Sequence, residues 1–518
     1  MSDEPDAKRR RLDVGEGGSG SAGPSGSAST EAVAATPATT STGGGHSPKT
    51  SGRGRFKKGD FPTRRDRIEA PREQVEDEIP EVRLPKRNVA LLLGFCGSGY
   101  HGMQYSTREG QLDMTHPSIE GTLFQALIEA GAISRYNSSN PLKVNFQRAA
   151  RTDRGVHAAG NVVSFKMIMN LPDKTEADML AAINAALPPQ IRVWEFIRTK
   201  NSFNARQICD SRRYTYFFPS YLLITPKPGC GFRLNLDRFL GEPWQAPEDP
   251  FWEGMDENES REAMLSRKRA WRVTPEHLQR LREAAAVYQG THSFHNFTLT
   301  TNPTAGTNRR YMKSLEVQEP QVHDGTEWIP VQFHGQSFML HQIRKMMFAM
   351  IMVARTKTPP VIINELYVQR KVLVPKVPAL GLLLEAPVYD AYNAVCAKME
   401  PGPDKREPIR FEPHAEKIEA FKNEFIYSTM REIESKAAVF DKWMRSVDDY
   451  VGDDLLYLNP DGIVPEQAVI LPKQERKSRF HENAAFDKTT LDDDEIVDDS
   501  DEEAERPRTR KELEELDG

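Results

Sequence analysis

Residues 148–166 read Arg-Ala-Ala-Arg-Thr-Asp-Arg-Gly-Val-His-Ala-Ala-Gly-Asn-Val-Val-Ser-Phe-Lys. An arginine-rich turn closed by Gly155 leads directly into an apolar strand at Asn161–Lys166. Upstream, Asn88–Phe95 is a continuous apolar run, a buried strand ending in Gly97-Ser98-Gly99. Ser118–Ala130 spaces Ile119, Leu123, Ala126, Leu127 and Ala130 as a helix face, with Ser118 as N-cap. Downstream, Val162–Met169 extends the strand, and Thr175–Leu187 is a helix stopped by Pro188-Pro189. Ile191–Ile197 and Tyr214–Phe218 alternate like strands. Residues 223–272, rich in Pro, Gly, Trp and charge, have weak periodicity and read as an insertion. A second set follows: a helix at Pro275–Tyr288, strands near Tyr311–Val317 and Trp328–Phe333, and a helix from Ser337 to about Arg355. A shorter helix at Val361–Arg370 and a strand at Leu380–Leu384 complete it. Two successive alternating sets predict an α+β or α/β protein rather than a helical bundle.

The chain has 518 residues, of which 38 % are apolar and 28 % charged, so part of it must be solvated tail. Six segments are expected. Residues 1–84 form a disordered basic tail, 85–220 and 273–395 are two halves of one catalytic domain, and 221–272 is an insertion or linker. Residues 396–470 form an appended helical region and 471–518 an acidic disordered tail. Two basic clusters, Lys8–Arg11 and Arg53–Arg67, read as a nuclear import signal or an RNA-contacting arm, against a merely solvated tail. Residues 491–518 hold 14 acidic and 4 basic side chains, which leaves the rest of the chain at a net +4. A mildly basic body suits phosphate-rich partners. The four cysteines are sparse, the nearest pair (Cys209 and Cys230) lying 21 residues apart, which fits neither a zinc knuckle nor a disulfide scaffold. No apolar run approaches the roughly 20 residues of a membrane span, and the N-terminus lacks an apolar signal core. A soluble intracellular protein without membrane association is expected.

Asp153 stands among Arg148, Arg151 and Arg154. Guanidinium neighbours favour an ionised carboxylate with a lowered pKa, suited to nucleophilic or electrostatic work. A structural ion-pair network at a turn is the competing reading. Tyr214 reads either as strand core or as a site residue. Arg344 lies on an apolar helix beside Phe338, Met339, Ile343 and Met346, so it must be paired if buried. His157 and His341 have no second ligand at metal spacing and read as structural or RNA-contacting. The glycines of 97–102 lack a phosphate-binding fingerprint, and serve close approach of backbone or of a nucleic acid strand. Arg212–Phe217 and Asn308–Lys313 interleave basic and aromatic side chains, as RNA contact requires, though an exposed sheet edge looks the same.

Arg151-Thr152-Asp153-Arg154-Gly155-Val156-His157-Ala158 resembles the active-site motif of the tRNA pseudouridine synthase A family. Gly97–Gln104, Ser118–Leu123, Phe203–Arg206 with Arg212–Tyr216, Gly335–Met346 and Pro378–Glu385 resemble its further motifs, in order, over roughly residues 85–395. The wording of the last two is most like the family's eukaryotic multisubstrate branch. The resemblance implies two ferredoxin-like α/β halves with joined antiparallel sheets around a basic central cleft. It implies Asp153 as catalyst, Tyr214 stacking on the uracil and helping to move the C5 proton, and Arg344 pairing with Asp153. Arg151 would enter the space the flipped base leaves and Leu382 would pack on the base, with Arg154, His157 and Arg213 as further substrate contacts. The implied substrates are tRNA, at the anticodon stem and loop and in intron-containing precursors, with snRNA and mRNA beside it. The implied setting is the nucleus, with the import machinery as a partner. No cofactor is chemically required and no metal site is expected; zinc enters only by family association. Two rivals stand beside this reading: a sister enzyme with a narrower anticodon-arm target, and a non-catalytic RNA-binding protein on the same scaffold.

Overall fold

The apolar run at the start of the ordered chain forms β1 (Lys86–Phe95), buried from Asn88 onward. The computed structural model describes residues 84–471 apart from 109–110, 113–114, 170–173, 246–248, 257 and 300–301, together with residue 480. The basic clusters at 8–11 and 53–67 and the acidic run near the C-terminus lie outside the described residues. After β1 come a small ribbon of β2 (Thr107–Arg108) and β3 (Gln111–Leu112), then α1 (Ile119–Glu129), whose N-cap Ser118 accepts from the Gly121 N–H. β4 (Gln147–Arg148) and β5 (His157–Ile168) follow, then α2 (Glu176–Ala186), started by a Thr175–Asp178 capping box, and β6 (Ile191–Arg198).

The second set opens with β7 (Ser211–Pro219), followed by α3 (Gly231–Leu240), α4 (Arg261–Ala270) and α5 (Pro275–Ala286). Then come β8 (Gly290–Ser293), β9 (Arg309–Val317), β10 (Gln321–His323) and β11 (Thr326–Gly335). It closes with α6 (Gln342–Thr356), α7 (Ile362–Glu365) and β12 (Leu382–Val388). All strands but the ribbon form one ten-stranded sheet ordered β6-β1-β5-β12-β7-β11-β9-β8, with β4 on β5 and β10 on β11.

Each set is a βαββαβ unit. In the first, β6-β1-β5-β4 is the order fourth-first-third-second; in the second, β12-β7-β11-β9 repeats it. This is the ferredoxin-like plan, and two right-handed crossovers place both helices of a unit on one face. Pairing within the units is antiparallel, whereas the seam is parallel and short, Leu383 opposite His157 and Leu384 opposite Ala158.

The opposite face is covered by the C-terminal segment: α8 (Asp390–Ala397), α9 (Ala415–Phe421), a π-helical turn at Lys422–Tyr427, and α10 (Ser428–Ala437). Phe421 meets Trp194 edge-on at 5.4 Å, Lys422 pairs with Glu385 at 3.3 Å, and Tyr427 meets Phe217 at 5.3 Å, so the segment crosses both units. The chain reverses at Ala438, and α11 (Val439–Asp448) sets Phe440 against Tyr216 and Trp443 against Phe348.

Residues 221–272 hold two helices where weak periodicity predicted none. Lys268 pairs with Asp441 at 2.7 Å, the Arg269 guanidinium donates to the Glu434 carbonyl at 2.9 Å, and the Asn235 amide donates to the Gly452 carbonyl at 2.9 Å. In α4 polar bonds to the C-terminal helices thus replace the apolar stripe that periodicity would detect, whereas α3 buries Phe232 and Leu236.

Candidate active site

β4 stops after two residues, and the loop of residues 149–156 carries Asp153 from β4 into β5. Several carbonyls of that loop are held. Arg212 donates to the Ala149 carbonyl at 2.8 Å, Asn161 to Ala150 at 3.0 Å, and the Met103 N–H to Thr152 at 3.1 Å. At the root of the loop Arg148 forks onto Glu120, Nε on Oε1 and Nη2 on Oε2 at 2.8 Å, while the Tyr105 N–H donates to Oε2 at 3.1 Å. Glu120 is fully buried at the head of α1; burial pushes its carboxyl pKa up, and Arg148 opposes this.

The glycine-rich loop 97–102 packs backbone against backbone. A Cβ at Gly97 would stand 2.1 Å from the Val156 carbonyl oxygen. One at Gly102, where φ is +83°, would stand 2.7 Å from that of Thr152. Close approach of main chain to the Asp153 loop is therefore what these glycines permit.

Asp153, Arg151, Arg154, Tyr214 and Leu382 together line one cleft of about 200 Å³. That is room for several waters and for a planar ring among them. His101, Gln104, Phe338 and His341 also stand in its wall. Tyr214 meets Phe338 edge-on at 5.1 Å. Burial pushes the Tyr214 phenol well above its ordinary pKa, and the Asp153 charge adds to the shift, so at neutral pH the hydroxyl keeps its proton. The Arg151 guanidinium bonds Gln104; burial and its neighbours Arg148 and Arg206 lower its pKa, while Glu120 and Asp153 oppose that. His341 Nε2 lies 3.7 Å from Asp153 Oδ2.

Arg344 follows the lining residue Ile343, is 2 % exposed, and donates from Nε to the Val377 carbonyl at 2.7 Å. The helix expected from Ser337 begins only at Gln342, and His341 before it has φ +62°.

Two expected substrate contacts lie elsewhere. His157 is completely buried behind the loop, its Nδ1 accepting from the Gly97 N–H at 3.1 Å. Burial raises the pKa of the adjacent Cys96 thiol, but His157 and bonds from Ser98 outweigh it and bring it down to about 7. Arg213 is exposed and lines a hollow with Ser314, Glu316, His334 and Lys422 on the other sheet face. Strand alternation forces this, since neighbours on β7 cannot share a face with Tyr214. The arginine on Tyr214's side is Arg212, which holds Ala149 and, at 2.9 Å, the Gln336 carbonyl.

A larger hollow of about 340 Å³ between the sheet and the C-terminal helices mixes Glu385, Glu419, Lys422 and Arg431 and shares no residue with the Asp153 cleft. Among the described residues no three His, Cys, Asp or Glu side chains are placed to hold a metal, so these residues do not fit a zinc site.

The sequence reading missed His341 and Gln104 as members of this wall. Both stand inside motifs already singled out, at 335–346 and 97–104, which was the available signal.

Residues 284–390 match a family described as tRNA pseudouridine synthase. That segment runs from the end of α5 through β12, the later part of the second unit; β7 with Tyr214 precedes it, and Asp153 belongs to the first unit. Similarity to relatives extends over most of the chain. A tRNA pseudouridine synthase 1 of Yarrowia lipolytica is 37 % identical, over 82 % of this chain and 85 % of its own. One of Kluyveromyces lactis is 39 % identical over 71 % of each chain. A pseudouridylate synthase 1 homolog of Mus musculus is 33 % identical over 72 % of this chain and 76 % of its own. With the double ferredoxin-like sheet and the Asp153 cleft at its seam, these likenesses make the chain a member of the tRNA pseudouridine synthase family.

Proposed function

We propose that the protein isomerises uridine to pseudouridine in tRNA, with Asp153 as the catalyst. The supporting observation is convergence: Arg151, Asp153 and Arg154 from the first unit and Tyr214, Leu382 and the head of α6 from the second line one base-sized cleft. In the reaction the N1–C1′ bond breaks, the base turns, and C5 bonds to C1′; the C5 proton leaves and N1 gains one. The atoms balance without an added redox partner, phosphoryl donor or metal.

A stacked uridine cannot turn, so the nucleotide must leave the helix, at a cost of a few kcal/mol. Stacking on Tyr214 offsets about 1–3 kcal/mol of that. Leu382 closes the far side of the base, and Arg151 enters the vacated stack. Arg344, buried and anchored to Val377, holds the Asp153 carboxylate through charge-assisted bonds. Asp153 acts at the everted nucleoside, and Tyr214, a neutral phenol, relays the C5 proton rather than removing it as a phenolate.

The substrates in this reading are anticodon stem and loop uridines of tRNA and its intron-containing precursors, with snRNA and mRNA beside them. The work takes place in the nucleus, reached through the import machinery by the clusters at Lys8–Arg11 and Arg53–Arg67. The test is incubation of tRNA transcripts with wild-type protein and Asp153→Ala, followed by nucleoside chromatography and site mapping. Pseudouridine formed by wild type alone, at several anticodon-arm positions, is the expected result. Formation by the variant overturns the assignment of Asp153, and modification of a single position overturns the broad substrate range.

A further inference from the structure

We infer that His341 is a positioning residue for the Asp153 carboxylate, and that the site requires its imidazole rather than its backbone. The inference rests on the reading of Asp153 as catalyst. Five non-glycine residues with positive φ occur among the described residues: Asn145, Asp324, His341, Lys357 and Ala438. Asn, Asp and His enter this region more often than other non-glycine residues, but each still pays a backbone cost there that glycine does not. Of the five, His341 alone lines the Asp153 cleft.

The strained backbone is fixed from both sides. Gln342, itself buried, accepts the Met339 N–H on its side-chain oxygen at 2.8 Å and donates its own N–H to the Met339 carbonyl at 3.0 Å. The Thr298 hydroxyl donates to the Leu340 carbonyl at 2.9 Å, and the Lys345 N–H to the His341 carbonyl at 3.0 Å. Surroundings that over-determine a sparsely populated conformation mark a place where the strain serves the site. Glycine would satisfy the same backbone without strain, as it does at Gly102 and Gly155 on the facing loops. A side chain held at φ +62° beside a carboxylate is therefore there for what the ring does.

The ring directs Nε2 at Asp153 Oδ2 from 3.7 Å, with only 6 % of the His341 side chain exposed. That is longer than a hydrogen bond, and such distances in a substrate-free site shorten once the substrate seats. Arg344 lies in the first turn of α6, directly after His341. With Arg344 on the carboxylate as proposed above, the His341 ring is a second donor that fixes its orientation, so that its oxygen faces the everted nucleoside.

The experiment separates ring from backbone. His341→Gly removes the imidazole and relaxes the strain; His341→Asn keeps an N–H donor in a residue that tolerates positive φ. Both variants, wild type and Asp153→Ala are compared for tRNA affinity, single-turnover rate and melting temperature. Expected for His341→Gly are a melting temperature at or above wild type, affinity within about threefold, and a rate about 10- to 100-fold lower. His341→Asn should recover part of that rate; if the glycine variant does not fold, the asparagine variant carries the comparison with wild type. A wild-type rate in His341→Gly, an asparagine variant as slow as the glycine variant, or a rate loss that merely follows weaker tRNA binding each overturns the inference. Turnover by Asp153→Ala would instead overturn the catalytic reading beneath it.

Discussion

The two βαββαβ units share one plan and differ in their second strand. In the second unit that strand, β9, has 9 residues; in the first, β4 has only 2, opposite Val163 and Ser164. At the start of β5 the edge away from β1 is therefore left open by its own unit, and β12 pairs there instead, at His157 and Ala158. The residues that would have continued the short strand form the Asp153 loop. The site exists where one repeat is incomplete and the other fills the gap. Side chains pin main chain on both sides, Arg212 and Asn161 at the Asp153 loop and Gln342 and Thr298 at the head of α6, but only the Asp153 loop is also packed on by the glycine-rich segment, at Gly97 and Gly102.

The first way to break the comparison is at the root of the loop. Glu120→Ala leaves Arg148 without its buried partner, and breaking such a pair costs about 3–5 kcal/mol. Chemical denaturation measures it, and a loss below about 1 kcal/mol would show that the loop does not depend on this pair. Arg212→Ala leaves the Ala149 and Gln336 carbonyls without that donor and should cost about 1–3 kcal/mol, with turnover falling too. Arg213→Ala, one residue away on the other face, should stay within about 0.5 kcal/mol of wild type with unchanged turnover. Equal effects of the two would contradict the placement of the β7 faces.

Gly102→Ala pushes a methyl into the Thr152 carbonyl and should lower turnover about 100-fold with tRNA affinity little changed. Gly290→Ala, in the second unit, meets only the His292 ring at 3.6 Å; its φ of +105° costs about 1 kcal/mol and activity should not move. A separate effect concerns the C-terminal helices. Burial raises the Glu434 pKa to about 7 from 4.5, although bonds from the Tyr221 hydroxyl and the Phe440 N–H oppose this. The folded state then holds a proton that the unfolded chain releases between those values, so this group's contribution is full below about pH 4.5 and lost by pH 7. Glu434→Gln should flatten the fall in melting temperature between pH 5 and pH 8 by the equivalent of roughly 1–2 kcal/mol. An unchanged slope would contradict the shift.

Much of this was legible in the sequence because local signals agreed with the fold. β1 showed as an unbroken apolar run since both its faces are covered, and Ser118 and Thr175 marked their helices by side-chain caps. Asp153, Arg151, Tyr214 and Leu382, which the motifs singled out, line one cleft. α4 was invisible because Arg-Glu-Ala-Met-Leu-Ser-Arg-Lys-Arg-Ala is held by ion pairs and carbonyl bonds rather than by an apolar stripe. The head of α6 was misjudged because Phe338 and Met339 continue its apolar spacing through a segment that is not helical. Arg213 was misassigned although the two-residue period of β7 already separated it from Tyr214.

The most direct test of the central claim is release of the C5 hydrogen to water from tRNA labelled at uridine C5, under single turnover, for wild type and Asp153→Asn. The variant keeps shape and hydrogen-bonding size but removes the negative charge. A rate lower by at least about 10³-fold, with tRNA affinity within threefold, is the predicted result. Hydrogen release within about tenfold of wild type would contradict the account, because the cleft would then work without the carboxylate around which it is arranged.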